Sequence, residues 1–196
     1  MPDIVLVRHG ETEWTVSGQH TSITDVELTD GGRRAAVAVG RVLSAWDFAA
    51  VLTSPRRRAR ETCELTGLGD RARVVAELEE WNYGKYEGRT TPEIRDEQPG
   101  WSLWRDGAPG GEAAAEVAAR ADRLLQELRE LLDRGGDAVV FSHGHFLRVF
   151  AARWLDLAPE DGRLLGPLAP AGLGVLGRER ENAVVSVWNR LAAEGS

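Results

Sequence analysis

Short β-branched apolar runs alternate with longer stretches of helical period through this chain, and that alternation limits the possible architectures more than any other feature. Val5-Leu6-Val7 is a run of the first kind and breaks off at Arg8-His9-Gly10. Over about residues 29–45, Ala35, Val39, Val42 and Leu43 then keep helical spacing, with Thr29 or Asp30 as the cap. Residues 49–53 read as a second strand, and Ser54-Pro55 is expected to open the next helix with a capping hydroxyl and a proline at its first position. Val74-Val75 suggests a third strand, residues 77–88 a loop, 91–98 a short helix, and 101–111, rich in Gly and Pro, an irregular stretch. The strongest helical pattern, about 112–134, puts Val117, Ala121, Leu124, Leu125, Leu128, Leu131 and Leu132 on one face and stops at Gly135-Gly136. A fourth strand over 138–141 leads to Ser142-His143-Gly144-His145 and a helix to about Leu155, and strands near 173–176 and 183–188 close the chain. This order predicts an α/β fold with a mainly parallel, doubly wound sheet and helices on both faces.

With 196 residues and neither linker nor repeat, the chain is expected to form one domain over 1–196, large enough to bury a core unaided. A net charge of −7 argues against a nucleic-acid or anionic-membrane binder, which would need a basic field, so any anion site must be local. The single cysteine, Cys63, allows no internal disulfide and no thiolate metal cluster. With no export leader and no long apolar stretch, a cytoplasmic location is expected. A symmetric homodimer is neither required nor excluded. Lys85 is the only lysine among 24 basic residues, and no phosphate loop of the G-x-x-x-x-G-K type exists. Arginine must bind the anions, and its planar fork suits phosphate oxygens.

Four groups fall just past the ends of four strands: Arg8-His9, Ser54 to Arg58, Glu80 and His143. In open α/β sheets the carboxyl ends of the strands line the ligand crevice, so these groups should converge. Two arginines and two histidines around one carboxylate match the needs of a transferring phosphoryl group, with no metal or other cofactor called for.

These residues also carry a resemblance. Leu6-Val7-Arg8-His9-Gly10-Glu11-Thr12 resembles the signature of the histidine phosphatase, or phosphoglycerate mutase-like, superfamily, and Trp14, Gly18, Asp25, Leu28, Thr29 and Gly32 keep the pattern that follows it. Ser54-Pro55 with Arg58, Glu80 ahead of Gly84 and Glu87-Gly88, Gly110-Gly111-Glu112, and Ser142-His143-Gly144 resemble the remaining landmarks in order, covering the chain from Ile4 to about Phe150. The resemblance implies a metal-independent phosphatase acting on a small phosphorylated metabolite. His9 would accept the phosphoryl group as a neutral imidazole, Arg8, Arg58 and a protonated His143 would hold its oxygens, and Glu80 would act as general acid, then base. A phosphoglycerate mutase is the alternative within the family, and a non-catalytic phosphate-binding or docking module the alternative outside enzymology. The segment from Glu80 to Glu112 is shorter than mutases use to shield their intermediate, which favours hydrolysis.

The chain departs from the family pattern at Thr15, Gln19 and Thr21, which stand where relatives commonly have Asn, Arg and Gln. A hydroxyl at Thr15 or Thr21 can still bind substrate, but with less reach and one charge fewer, which speaks against tight binding of bisphosphorylated substrates. His145 reads as a helix-start group touching substrate, or with His143 as a metal-ligand pair, against which speak a turn expected to begin at Gly144 and the few carboxylates around it. Trp81 and Trp104, with Trp101, either form a substrate lid or anchor long loops to the core. Glu79 and Glu87 compete with Glu80 for the acid role on chemistry alone. Arg56, Arg57 and Arg60 are expected on a solvated helix face, and His20 in a polar loop, either exposed or at the edge of the site.

Overall fold

The computed structural model describes residues 2–193. The one-domain expectation also covers residues 1 and 194–196, which lie outside the described ones. Four parallel strands, β1 (Ile4–Arg8), β2 (Phe48–Thr53), β3 (Ala72–Val74) and β4 (Asp137–Ser142), and two antiparallel ones, β5 (Leu173–Glu179) and β6 (Asn182–Arg190), form one sheet in the order β3-β2-β4-β1-β5-β6. The fold is the expected mainly parallel α/β sheet with helices on both faces. Helix α1 (Glu13–Ser17) follows β1, and α2 (Asp30–Leu43), capped by the Thr29 side chain, leads to β2. Then come α3 (Arg57–Leu65), α4 (Thr91–Glu97), α5 (Leu103–Asp106), α6 (Ala114–Asp133) and, after β4, α7 (Gly144–Trp154).

Strand alternation sorts the core into two layers. Ile4, Leu6, Ala138 and Val140 pack with α6 and α7, while Val5, Val7, Val139 and Phe141 pack with α2 and α3. Because both faces are covered, the central strands read as unbroken apolar runs. Leu124, Leu125, Leu128 and Leu132 of α6 are all buried, each contributing about 1.5–3 kcal/mol of apolar burial. Among the described residues, no helix is long and apolar enough to cross a membrane.

Three local expectations are corrected. Helix α3 begins at Arg57, with the still extended Arg56 as an N-cap that makes no side-chain cap bond; the Ser54 hydroxyl accepts the Arg56 N–H ahead of the helix and bonds His143. Gly144 is the first residue of α7 rather than the start of a turn. Helix α6 begins at Ala114, which leaves Glu112 outside it, bonded to the preceding loop.

Register places the site. Arg8 pairs with Ser142 across β1 and β4, and Thr53 pairs with Phe141 across β2 and β4. Three chain segments therefore leave the sheet side by side, carrying His9, Ser54 and His143.

Candidate active site

His9 and His143 follow the paired residues Arg8 and Ser142, and their rings stand 5.2 Å apart. His9 is 4% exposed, and its Nδ1 lies 2.8 Å from the Gly10 carbonyl. That carbonyl can only accept, so Nδ1 carries the proton and Nε2 keeps its lone pair. Gly10 makes this turn possible, since a Cβ there would come within 2.7 Å of the Gly32 carbonyl oxygen. Burial, and then the charges of Arg58 and Arg8, push the His9 pKa well below the ordinary imidazole value, so the ring is a neutral base.

His143 is fully buried, with Nε2 2.8 Å from Ser54 Oγ. Burial, together with Arg58, His9 and Arg8, pushes its pKa well below the ordinary value too. In the free site, charge on His143 is hard to hold beside two buried guanidiniums.

Arg58 is fully buried and gives its two terminal nitrogens to the carbonyls of Thr24, Thr21 and Ser22. Arg8 donates to the Leu168 carbonyl and lies against Gly144, where a Cβ would stand 3.4 Å from its Cζ. Five buried side-chain N or O atoms among the described residues have no hydrogen-bond partner, and three of them are Arg8 Nε, Arg58 Nε and His143 Nδ1. Buried donors are normally satisfied, so three orphans grouped around His9 mark a place suited to an anion rich in acceptors.

Glu80 reaches the site from the loop after β3. Its Oε1 accepts the backbone N–H of Trp81 (2.9 Å) and Phe146 (2.8 Å), and its Oε2 that of His145 (3.1 Å). The last two donors belong to the first turn of α7, so the helix that begins beside His143 also aims this carboxylate. The rival acids are occupied elsewhere. Glu79 pairs with Arg56 at 2.8 Å. Burial would raise the Glu87 pKa, but hydrogen bonds from Ser22 and Thr24 outweigh it and hold that carboxyl low.

Arg8, His9 and Glu80 open onto one cavity of about 190 Å³, and Arg58 and His143 lie buried behind its wall. Thr15, Thr21 and His145 line the cavity as the sequence suggests. Trp81 and Trp104 do not. Trp81 is wholly buried, its indole N–H bonded to the Glu112 carbonyl, and it serves as a core anchor. Trp104 stands behind the wall, with its ring 5.4 Å from His145 and 4.6 Å from the Arg148 guanidinium. Trp101, 2% exposed, is another anchor, so the lid reading fails for this group.

His20, which the sequence allows at the edge of the site, is on the wall, and three further wall residues were not legible as such in the sequence: Tyr83, Arg148 and Pro167. Tyr83 hydroxyl sits 2.7 Å from His145 Nδ1. His143 and His145 thus serve different partners, and no group of three or more metal-ligating side chains occurs among the described residues. Arg57 and Arg60 are at the surface as expected, whereas Arg56 is partly buried against Glu79 and the Ile23 carbonyl.

Known proteins resemble this chain in sequence and in fold. The sequence profile of the histidine phosphatase superfamily (branch 1) matches residues 4–191. An acid phosphatase of Mycobacterium tuberculosis is 42% identical over 178 residues, covering 90% of this chain and 86% of that protein. Sedoheptulose 1,7-bisphosphatase of Saccharomyces cerevisiae is 37% identical over 185 residues, covering 80% and 68%. The solved structure of a Mycobacterium tuberculosis open reading frame product superposes with a TM-score of 0.93 at 38% identity, covering 98% of this chain and 99% of that one. Phosphoglycerate mutases and glucosyl-3-phosphoglycerate phosphatases are also related, at lower identity.

Proposed function

Because the chain belongs to the histidine phosphatase superfamily, branch 1, we propose that it hydrolyses small phosphorylated metabolites with His9 as the phosphoryl acceptor and Glu80 as the proton carrier. The observation that carries this reading is a neutral imidazole and a carboxyl group on the wall of one cavity, with Nδ1 of the imidazole tied to the Gly10 carbonyl.

In the first half-reaction, the lone pair on His9 Nε2 forms a bond to phosphorus as the ester P–O bond breaks. The protonated Glu80 carboxyl gives its proton to the departing alkoxide, leaving an alcohol, phosphohistidine and a Glu80 carboxylate. In the second, that carboxylate takes a proton from water, the water oxygen bonds to phosphorus, and the P–N bond breaks. Phosphate leaves and His9 and Glu80 return to their starting states. Arg8, Arg58 and His143 serve the equatorial oxygens in both steps, supplying the charge stabilisation that kinases draw from magnesium. A transient imidazolium at His143 becomes favourable once a phosphoryl dianion lies beside it.

Relatives named as phosphatases, at 42% and 37% identity, favour hydrolysis over mutase chemistry. A docking module without turnover would have no use for a carboxyl aimed by three backbone N–H groups. Cys63 offers no competing nucleophile, since burial pushes its thiol up to about 12. The single cysteine fits a cytoplasmic setting.

The test is phosphate release from a panel of sugar phosphates, phosphoglycerates and nucleotides in EDTA, with His9→Ala run in parallel. Release by the wild type that His9→Ala abolishes is expected. Release that chelation removes and magnesium or zinc restores overturns the metal-independent reading.

A further inference from the structure

The hairpin of β5 and β6 takes no part in the reaction above, yet it reaches the end of β1 through one short loop. Residues 166–172 run from the cavity wall, which Pro167 lines, into β5. Three hydrogen bonds tie this loop to Arg8 and His9. The Leu168 carbonyl accepts Arg8 Nη1, the Gly172 carbonyl accepts the Arg8 N–H at 3.1 Å, and the Ala171 N–H donates to the His9 carbonyl at 3.1 Å. The Arg8 guanidinium, whose Nε has no partner in the protein, is therefore oriented by a loop carbonyl.

The loop does not hold its shape by local preference. Gly172 N–H closes a turn on the Ala169 carbonyl at 2.8 Å, with Pro170 second in the turn and Ala171 third. At φ 56°, Ala171 occupies the left-handed position that such a turn normally gives to glycine. A disfavoured conformation of this kind persists where its surroundings over-determine it.

Those surroundings are two consecutive residues of β6. The pairing steps from Leu173–Arg190 to Val175–Val187, so β6 carries one residue more than β5 there and forms a β-bulge, with Trp188 and Asn189 opposite Gly174. Asn189 is itself left-handed, at φ 58°. Consecutive side chains of a regular strand point to opposite faces, whereas the bulge turns these two toward the same loop. Trp188 Nε1 donates to the Gly166 carbonyl at 2.8 Å, and Asn189 Oδ1 accepts the Ala169 N–H at 2.7 Å. Glycines make room for both: a Cβ on Gly172 would stand 2.9 Å from Asn189 Oδ1, and one on Gly174 3.2 Å from the Trp188 ring. Because β6 is an edge strand, a bulge could also serve only to discourage further strand pairing. That role would need neither side chain to reach the loop.

We propose that Trp188 and Asn189 are positioning residues: they pin residues 166–169 so that the Leu168 carbonyl fixes the Arg8 guanidinium for the phosphoryl oxygens. Arg8 as a phosphoryl ligand belongs to the phosphatase reading above, on which this proposal rests.

Asn189→Gly removes the acceptor and keeps the left-handed backbone, while Trp188→Phe removes the indole N–H and keeps an aromatic ring. Each is expected to weaken the binding of inorganic phosphate, measured by calorimetry, and to lower kcat/KM by about 3- to 10-fold, the effect of one hydrogen bond. The loss should be equal for a sugar phosphate and p-nitrophenyl phosphate, because Glu80 is untouched. Asn189→Asp, which retains the acceptor, should recover most of it. In an Arg8→Lys background, which keeps the charge but not the planar fork that Leu168 orients, the effect of Asn189→Gly should shrink toward none. Phosphate affinity and kcat/KM unchanged in both single variants, or an undiminished effect of Asn189→Gly in Arg8→Lys, overturns the proposal and leaves the bulge an edge device. Phosphate affinity is read without turnover, so the underlying reading fails separately: a His9→Ala protein that releases phosphate like the wild type refutes the nucleophile whatever Asn189 does.

Discussion

Ser54 Oγ and His143 Nε2 are 2.8 Å apart, joining the ends of β2 and β4 by a hydrogen bond between side chains 89 residues apart in sequence. The same hydroxyl lies 3.3 Å from the Arg56 N–H, from which it accepts. Its own proton can then go to Nε2, which leaves the neutral His143 ring protonated on Nδ1, the nitrogen with no partner in the protein. A neutral imidazole of that tautomer donates to a phosphoryl oxygen without carrying charge beforehand.

Ser54→Ala should therefore weaken phosphoryl transfer without removing a group that contacts the phosphoryl. The expected loss is about tenfold in kcat/KM, from one hydrogen bond worth roughly 1–1.5 kcal/mol, with Ser54→Thr retaining most of the activity. A Ser54→Ala enzyme as fast as the wild type shows that His143 does not depend on this bond.

Glu80→Gln separates substrates by leaving group. An alkoxide needs a proton as it departs and a nitrophenolate does not, so phosphoenzyme formation from a sugar phosphate should fall by about 10² to 10⁴, and far less from p-nitrophenyl phosphate. Single-turnover quench is the measurement, because the same residue also activates the water of the second step. If Glu79→Gln or Glu87→Gln shows the split instead, the acid is misassigned.

The four histidines of the chain all have pKa values held below the ordinary imidazole value, with burial as the first cause in each. Above the unfolded value of about 6.5 they are neutral in both states and add no pH dependence. Below it the unfolded chain takes protons that the folded chain refuses, so stability falls with pH at about 1.4 kcal/mol per unit for each ring kept neutral. Urea unfolding at several pH values between 7.5 and 5 should show this decline, and His20→Asn should make it shallower. A stability that is flat or rising on acidification would contradict it.

The parts of the site legible in the sequence were those at strand ends. Buried parallel strands are continuous apolar runs, so Val5-Leu6-Val7 and residues 138–141 point to the residues that follow them, and parallel pairing brings His9 and His143 together. Ser54 was misread because a hydroxyl before a proline has the chemistry of a helix cap, and only the distant His143 competes for it. Trp81 was misplaced because an aromatic in a loop carries no sign of whether it faces a cavity or the core. The His143-x-His145 pair separated because α7 starts between them and turns the second ring toward Tyr83. Nothing local marks Arg148 as a wall residue, because an arginine in an amphipathic helix usually lies in solvent.

Glu112 gives the sharpest test of how the acid is held. Its carboxylate accepts Arg120 Nε (2.9 Å), Arg120 Nη2 (3.1 Å) and the Asn82 N–H (2.8 Å), while Arg120 also donates to the carbonyls of Glu77, Glu79 and Glu80. Gly111 lets this segment close on the loop, since a Cβ there would stand 2.2 Å from the Asn82 oxygen. The Gly-Gly-Glu motif is thus a brace across the base of the Glu80 loop rather than part of the cavity wall. Glu112→Gln keeps the shape but turns one acceptor into a donor, facing either Arg120 or the Asn82 N–H, and leaves the Arg120 charge unbalanced. With the Glu112 side chain 24% exposed, the cost should be about 1–3 kcal/mol, below the 3–5 typical of breaking a fully buried pair. Loosening the brace should also blunt proton delivery, so phosphoenzyme formation should slow more for alkyl than for aryl phosphates, as in Glu80→Gln but less severely. Urea unfolding and the single-turnover pair measure the two effects together. A variant that is destabilised yet slowed equally on both substrates would show that Glu112 supports the fold but does not position the acid.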